Sequence, residues 1–183
     1  KRLMALIGGT GIDRALHAAF RERNACIGGT SAGASAMSGH MLAKGAAVLQ
    51  PEKGAVSMAA GLGLVQHVLI DQHFSERHRL GRLLTAVGQN PGLQGVGIDE
   101  DTALVIERGV GIAILGEGAV TVVDGRQMRS NLAQVPNGAS PEMIDVRLHL
   151  LPAGSRYTLL SVGGEAAHGL PPSMRDFLRN VTK

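Results

Sequence analysis

The sequence predicts an α/β layer that is extended by antiparallel strands. Predicted strands alternate with predicted helices in the front half of the chain, whereas short strands follow one another in the back half. This order is typical of an α/β layer followed by hairpins. The chain has 183 residues, of which 44% are hydrophobic, as in one ordinary globular domain. We therefore expect a single α/β domain over residues 1–183.

The chain begins with two predicted helices. Apolar residues recur at helical spacing from Arg2 to Ile7, where Gly8-Gly9 would end the helix. A short strand is the alternative for this segment. Thr10 would cap a second helix that closes near Asn24, because its hydroxyl can accept from an amide of the first turn.

The middle of the front half contains two predicted strands. A short buried strand, Ala25 to Ile27, runs into a turn of small residues and then into a helix. The segment from Gly45 to Gly63 is rich in Gly and Ala and poor in long apolar side chains, which favours a loop. Another strand, Val65 to Ile70, is predicted to end at Asp71-Gln72-His73.

A fourth helix is predicted after His73. Ser75 is a suitable N-cap, and Asn90-Pro91-Gly92 would end the helix. Its apolar residues recur at i, i+3, i+4 and i+7 and form one stripe, which consists of Leu80, Leu83, Leu84 and Val87.

The remaining elements are short predicted strands and one terminal helix. Runs of β-branched and aliphatic residues bounded by Gly, Asp and Pro indicate the strands. The strands are Val96–Ile98, Ala103–Ile106, Ile112–Leu115, Val120–Val123, Val146–Leu151 and Tyr157–Leu160, and the helix is Ser173–Val181.

Composition argues against several classes of protein. The net charge of +3 is spread along the chain, and only three Phe and one Tyr are available for stacking on bases, so nucleic-acid binding is not expected. Cys26 is the single cysteine and cannot form an internal disulfide, and no run of 18 apolar residues suggests a membrane span. We expect a reducing, cytoplasmic setting, with secretion left open because the chain lacks an initiator Met.

The segment Gly29-Thr30-Ser31-Ala32-Gly33 matches the pattern GxSxG. Small neighbours allow the chain to turn sharply between a strand and a helix and to present Ser31 in a cleft. The amide of Ala32 and the helix dipole could then stabilise an oxyanion. A glycine-rich turn without chemistry is the alternative, and the predicted flanking strand and helix favour the nucleophile.

A serine nucleophile needs a base and usually an acid that orients the base. Of the seven histidines, His73 follows a predicted strand, at the sheet edge where loops converge on a crevice. Glu100 follows the next predicted strand and is the expected acid, with Asp99 as an alternative. A solvated acidic loop or a divalent-cation site is the competing interpretation, but no His or Cys ligand spacing accompanies these carboxylates.

Three arginines, Arg77, Arg79 and Arg82, fall in the first turns of the helix predicted after His73. Cations are disfavoured at that end of a helix, which suggests an anionic partner held by guanidinium groups. A solvated helix face is the alternative for any one of them. Gln72 could add an amide contact to the same substrate.

Three segments, GGTSAGASAMS, DQHFSERHRLGRL and GIDEDTALV, together resemble the cyanophycinases, in a serine peptidase family that also contains aspartyl dipeptidase. The resemblance covers Ile27 to Val105. It implies a flavodoxin-like, mostly parallel sheet related to class I glutamine amidotransferases, without metal or organic cofactor. It also implies a triad in the chain order Ser31, His73, Glu100, which differs from the order in α/β-hydrolases.

The resemblance also implies a substrate pocket and a substrate. The matching pocket residues are Asp71, Gln72, Arg77, Arg79 and Arg82. The implied substrate is cyanophycin, an arginine-decorated polyaspartate, from which an exopeptidase would release β-Asp-Arg dipeptides. An aspartyl or isoaspartyl dipeptidase and a non-catalytic binder of acidic peptides are the alternatives.

Similar proteins carry a further N-terminal part of the sheet with a GGDQ motif that this sequence does not contain. We therefore expect the chain to be a fragment, a processed chain or one half of a two-piece protein, with an N-terminal companion. The family also implies a homodimer.

Overall fold

A computed structural model describes residues 2–159 and 169–183 of the chain. Within these ranges the helices are α1 Arg2–Ile7, α2 Gly11–Glu22, α3 Ala32–Ala36, α4 Leu80–Gln89 and α5 Pro172–Val181. The strands are β1 His40–Gly45, β2 Val56–Ala60, β3 Val68–Gln72, β4 Gln94–Ile98, β5 Thr102–Glu107, β6 Gly111–Gly116, β7 Ala119–Asp124, β8 Arg129–Ser130, β9 Met143–Ile144, β10 Arg147–Pro152 and β11 Arg156–Thr158. Leu160, the predicted end of the last strand, lies outside the described residues.

The central sheet has four strands in the order β10-β7-β4-β3. Strands β3 and β4 pair in parallel, from Val68 opposite Gln94 to Gln72 opposite Ile98. The β4–β7 and β7–β10 pairs are antiparallel. Strands β11, β6 and β5 form a second, antiparallel sheet, and β1–β2 and β8–β9 are antiparallel pairs.

The predicted mixture of helices and strands is confirmed, but the expectation of a mostly parallel sheet is wrong for the described residues. Among the described residues, parallel pairing is found in the β3–β4 pair and in a single bridge between Ser38 and Val65. A parallel pair needs a long crossover, which α4 supplies between β3 and β4. Strands β5 and β6 are joined by a short turn from Glu107 to Gly111, which permits only antiparallel pairing.

Helices cover both faces of the central sheet. Phe177 and Leu178 of α5 pack with Val96 and the other residues of one buried cluster, whereas Leu83 of α4 packs with Leu69 in a second cluster. In β3, Val68 and Ile70 belong to the cluster of α5, whereas Leu69 between them belongs to the cluster of α4, as the pleat of a strand requires. Burial of a side chain such as that of Phe177 stabilises the fold by about 1.5–3 kcal/mol. No helix among residues 2–159 and 169–183 is long and apolar enough to cross a membrane.

Most predicted elements are found, with corrections at helix starts. Thr10 does occupy the N-cap position of α2, but its hydroxyl donates to the carbonyl of Ile7 and caps no helix amide. Helix α4 begins at Leu80 with Arg79 at its N-cap position, so the prediction that Ser75 caps this helix is wrong. The Ser75 hydroxyl donates to Asp99 instead.

Two segments of the front half differ from their predictions. Residues 45–63 contain β2, which pairs with β1 across a bulge between Leu42 and Lys44, so this segment is not a loop throughout. Ala25 to Ile27 is not a strand. The Ala25 amide donates to the carbonyl of Ala19 and so extends the end of α2 rather than a ladder between strands.

Candidate active site

Ser31 lies in a strained turn immediately before α3. Its φ of 50° and ψ of −120° are unfavourable for a residue with a side chain, and the surrounding turn must hold them. A Cβ on Gly29 would lie 2.5 Å from the carbonyl oxygen of Gly33, so only glycine fits there. The Gly33 amide donates to the carbonyl of Thr30 at 2.8 Å and closes the turn. The sequence therefore folds into an elbow that leaves Ser31 exposed.

The structure brings Ser31, His73 and Glu100 together, although 42 and 27 residues separate them along the chain. Ser31 Oγ lies 3.2 Å from His73 Nε2, and His73 Nδ1 lies 2.6 Å from Glu100 Oε1. A proton on Nδ1 would be donated to the carboxylate, which leaves Nε2 free to accept from the serine hydroxyl. This arrangement has the connectivity that activates a serine nucleophile.

Parallel pairing of β3 with β4 explains why His73 and Glu100 meet. Gln72 and Ile98 are opposite residues at the ends of the two strands, so the chain segments that follow them start at one edge of the sheet. Phe74 packs against Gly97, where a Cβ would lie 2.4 Å from the Phe74 ring. The Phe74 amide donates to the carbonyl of Ile98 at 3.1 Å, which fixes the turn that carries His73.

Glu100, rather than its neighbour Asp99, contacts the imidazole. Asp99 Oδ1 accepts from the amide and hydroxyl of Ser75, and Asp99 Oδ2 accepts from the amide of Ala119. The two neighbouring carboxylates therefore have different partners. Among the described residues, no group of three His, Cys, Asp or Glu side chains is arranged to hold a metal ion.

Asp71, Arg79 and Arg82 form a buried ionic network, and the structure does not bring them to the cavity beside Ser31. Their exposed fractions are 0%, 8% and 8%. Arg82 Nε donates to Asp71 Oδ2 at 2.6 Å, and its Nη2 donates to Asp71 Oδ1. Burial, followed by the positive charge of Arg82, lowers the pKa of Arg79. Asp71 thus binds both arginines, and none of the three residues lies on the wall of the cavity beside Ser31.

Arg79 also contacts Gln72, which does line the cavity. Arg79 Nη1 donates to the main-chain carbonyl of Gln72 and, at 3.2 Å, to its side-chain Oε1. The contact with Arg79, which does not line the cavity, thereby orients the side-chain amide of Gln72. Arg77 is exposed on the turn before α4, so the argument from the helix dipole applies to neither Arg77 nor Arg79.

A cavity of about 720 Å³ opens beside the serine. Ser31, Gln72, His73 and Glu100 lie on its wall, together with an apolar surface. The main apolar residues are Met37, Val65, Ile70, Ile98, Leu104 and Ile106. The amide of Ala32 is in the first turn of α3, where amides have no intrahelical acceptor. Because α3 has only five residues, this single amide, rather than a helix dipole, is the group that could bind an oxyanion.

Residues 1–114 match peptidase family S51. The chain is 39% identical over 157 residues to a cyanophycinase of Geminocystis herdmanii. The aligned region covers 85% of this chain and 58% of that protein. It is 39% identical over 159 residues to a cyanophycinase of Trichormus variabilis, with 86% and 53% covered. A cyanophycinase of Synechococcus elongatus is 38% identical over 172 residues, with 93% and 53% covered.

The chain spans about half the length of these curated relatives. The resemblance to cyanophycinases that its three motifs indicate is confirmed by the family match and by this similarity. The chain belongs to peptidase family S51.

Proposed function

We propose that this chain carries the catalytic serine of an exopeptidase that hydrolyses cyanophycin to β-Asp-Arg dipeptides. The observation that carries the proposal is the series of contacts from Ser31 Oγ to His73 Nε2 at 3.2 Å and from His73 Nδ1 to Glu100 at 2.6 Å. The similarity to cyanophycinases supports the choice of substrate.

The proposed reaction is acyl transfer through Ser31. His73 Nε2 accepts the hydroxyl proton while Oγ attacks the α-carbonyl of an aspartate whose β-carboxyl carries arginine. The carbonyl oxygen becomes an oxyanion, to which the Ala32 amide donates. The imidazolium then gives its proton to the departing amine. In the second half of the reaction His73 accepts a proton from water, the water oxygen attacks the acyl group, and the proton passes to Ser31 Oγ as the acyl group is released. Glu100 accepts a hydrogen bond from the Nδ1–H group, which orients the imidazole and stabilises the imidazolium.

Two exposed or half-buried groups are proposed to contact the substrate. Gln72, oriented by Arg79, can donate its amide hydrogens to a substrate carbonyl, since its Oε1 already accepts from the guanidinium. Arg77, on the exposed turn after His73, can pair with a carboxylate of the substrate. Asp71, Arg79 and Arg82 would then contribute by holding this turn in place. The N-terminal companion and the homodimer stay predictions.

Incubation of the full-length natural protein with insoluble cyanophycin tests the proposal, with dipeptide release followed by mass spectrometry. We expect release by the wild type and loss by at least about 10³-fold in Ser31→Ala. Ser57→Ala, which alters an exposed serine on β2, is the matched control and should retain turnover. Cleavage of small aspartyl or isoaspartyl dipeptides without cleavage of the polymer would favour a dipeptidase. Binding without any cleavage would contradict the proposal.

A further inference from the structure

The Asp99 carboxylate accepts three hydrogen bonds beside the candidate site, although it does not contact the imidazole. Its Oδ1 accepts from the Ser75 amide at 3.1 Å and from the Ser75 hydroxyl at 2.5 Å. Its Oδ2 accepts from the Ala119 amide at 3.0 Å, and its own amide donates to the Ala119 carbonyl at 3.2 Å. One side chain thus joins the turn after β3, the end of β4 and the start of β7.

These contacts connect the two chain segments that carry the base and its acid. Ser75 lies two residues after His73, and Asp99 immediately precedes Glu100. The Phe74 amide adds a bond to the Ile98 carbonyl at 3.1 Å, so successive residues of one segment are bound to successive residues of the other. A shift of either segment would change the separation of His73 Nδ1 and Glu100 Oε1, which is 2.6 Å.

His73 needs this support because of its backbone conformation. Its φ is 47°, in the left-handed region that residues with a side chain rarely occupy. Such a conformation costs on the order of 1–3 kcal/mol and persists only where neighbouring contacts hold it. The bonds from Ser75 to Asp99 fix the chain directly after this strained residue.

The chemistry of the three donors requires a carboxylate. Ionised aspartate accepts on both oxygens, whereas asparagine accepts on one and carries an NH₂ group at the other position. In Asp99→Asn either Ser75 or Ala119 would face a donor instead of an acceptor. At least one of the present bonds would then be lost.

We propose that Asp99 is a positioning residue that fixes the distance between His73 and Glu100 and thereby the orientation of the base toward Ser31. This inference rests on the proposed function of Ser31 as a nucleophile. Asp99 acts through the two segments that it joins and does not touch the substrate.

The test compares kcat, KM and the rate at which a fluorophosphonate labels Ser31 in Asp99→Asn, Ser75→Ala and Ser75→Thr, all in the full-length protein. Misplacement of a catalytic group by about 1 Å can reduce the rate by about 10²-fold. We expect kcat and the labelling rate to fall by about 10- to 100-fold in Asp99→Asn, with KM little changed. Ser75→Ala should show a smaller loss because its amide still donates, and Ser75→Thr should restore the rate.

Glu117→Gln removes one exposed carboxylate from the neighbouring turn and controls for the change in charge, with kcat expected to stay within about twofold. If Asp99→Asn labels and turns over like the wild type, the positioning role is wrong. Should Asp99→Asn fail to fold, Ser75→Ala decides, and full kcat in that variant overturns the inference. A wild type that neither cleaves nor reacts with the reagent would instead refute the proposed function.

Discussion

The candidate site depends on individual residues with unusual backbone conformations. Ser31, His73 and Asp101 all have φ near 50°, although none of them is glycine. Each such conformation costs on the order of 1–3 kcal/mol, and strain of this kind is often found at functional sites. The contacts around Gly29 and Asp99 are therefore needed to hold Ser31 and His73 in backbone conformations that would be rare without those contacts.

The two glycines of the GxSxG pattern should respond differently to substitution. Gly29→Ala places a Cβ 2.5 Å from the Gly33 carbonyl oxygen, which forces the elbow to move, whereas a Cβ on Gly33 meets no atom within 4 Å. We predict that Gly29→Ala reduces the rate of Ser31 labelling by at least about tenfold. Gly33→Ala should leave this rate within about twofold, because it adds no clash. Equal rates in the two variants would refute the steric account of the elbow.

The sequence predicts which three residues the structure brings together, because the candidate nucleophile, base and acid each follow a recognisable local pattern. GxSxG marked Ser31, and the ends of two strands marked His73 and Glu100. The partners of Asp99 could not be predicted in this way. Ser75 looks like an N-cap in sequence, and only the packing of three segments shows that its hydroxyl binds Asp99.

At the scale of elements, the position at which α4 begins determines the environments of Arg77, Arg79 and Arg82. A helix that begins at Leu80 leaves Arg77 on an exposed turn and places Arg82 in the first turn, where it is buried against Asp71. Burial of an ion pair requires that each charge keeps its partner. The network of Asp71, Arg79 and Arg82 therefore binds β3 to α4 and supports the turn that follows β3.

We predict that Asp71→Asn destabilises the protein by about 3–5 kcal/mol, because it leaves buried guanidinium groups without a carboxylate. Chemical denaturation measures this loss. Arg77→Gln alters an exposed residue of the same turn and should change the free energy of unfolding by no more than about 0.5 kcal/mol. A stable Asp71→Asn protein with a raised KM would instead support direct contact of Asp71 with substrate.

Periodic patterns predicted some elements well and others poorly. The apolar spacing of α4 located its buried Leu83 and Val87, although Leu80 from the same stripe is 40% exposed. The sequence does not predict strand β2, because its Val, Ser, Met and Ala residues lie in a segment rich in Gly and Ala. A hairpin of this composition obtains its strand pairing from β1 rather than from local propensity.

At the scale of the whole molecule, the structure differs from the expected fold mainly in the direction of strand pairing. Parallel pairing was expected from the family resemblance, but short turns in the back half favour hairpins, and β7 pairs with both β4 and β10 in the antiparallel sense. The one parallel pair in the described sheet order, β3–β4, is nevertheless the one that positions the site. The expected proximity of Ser31, His73 and Glu100 is thus found, whereas the expected mostly parallel sheet is not.

The contact of α5 with the central sheet should make stability depend on pH. His149 on β10 lies 2.8 Å from Ser173 Oγ of α5, and burial lowers its pKa, with Asp124 opposing and Arg147 adding to this shift. The unfolded chain therefore binds a proton near pH 6.5 that the folded protein binds only at lower pH. Stability should be fully present above about pH 6.5 and fall as the pH drops below this value.

Denaturation at several pH values between about 5 and 8 measures this effect. In His149→Gln the part of the pH dependence that His149 contributes should disappear, whereas His40→Gln, an exposed histidine on β1, should keep the wild-type profile. A constant difference in stability between His149→Gln and the wild type at every pH would contradict the prediction.

The most direct test of the account is peptide mapping by mass spectrometry after reaction of the full-length protein with a fluorophosphonate. The account predicts an adduct on Ser31, with a labelling rate that falls by about 10²- to 10⁴-fold in His73→Ala and Glu100→Gln. An adduct on another residue, or labelling of Ser31 at the wild-type rate without His73, would contradict the assignment of nucleophile and base.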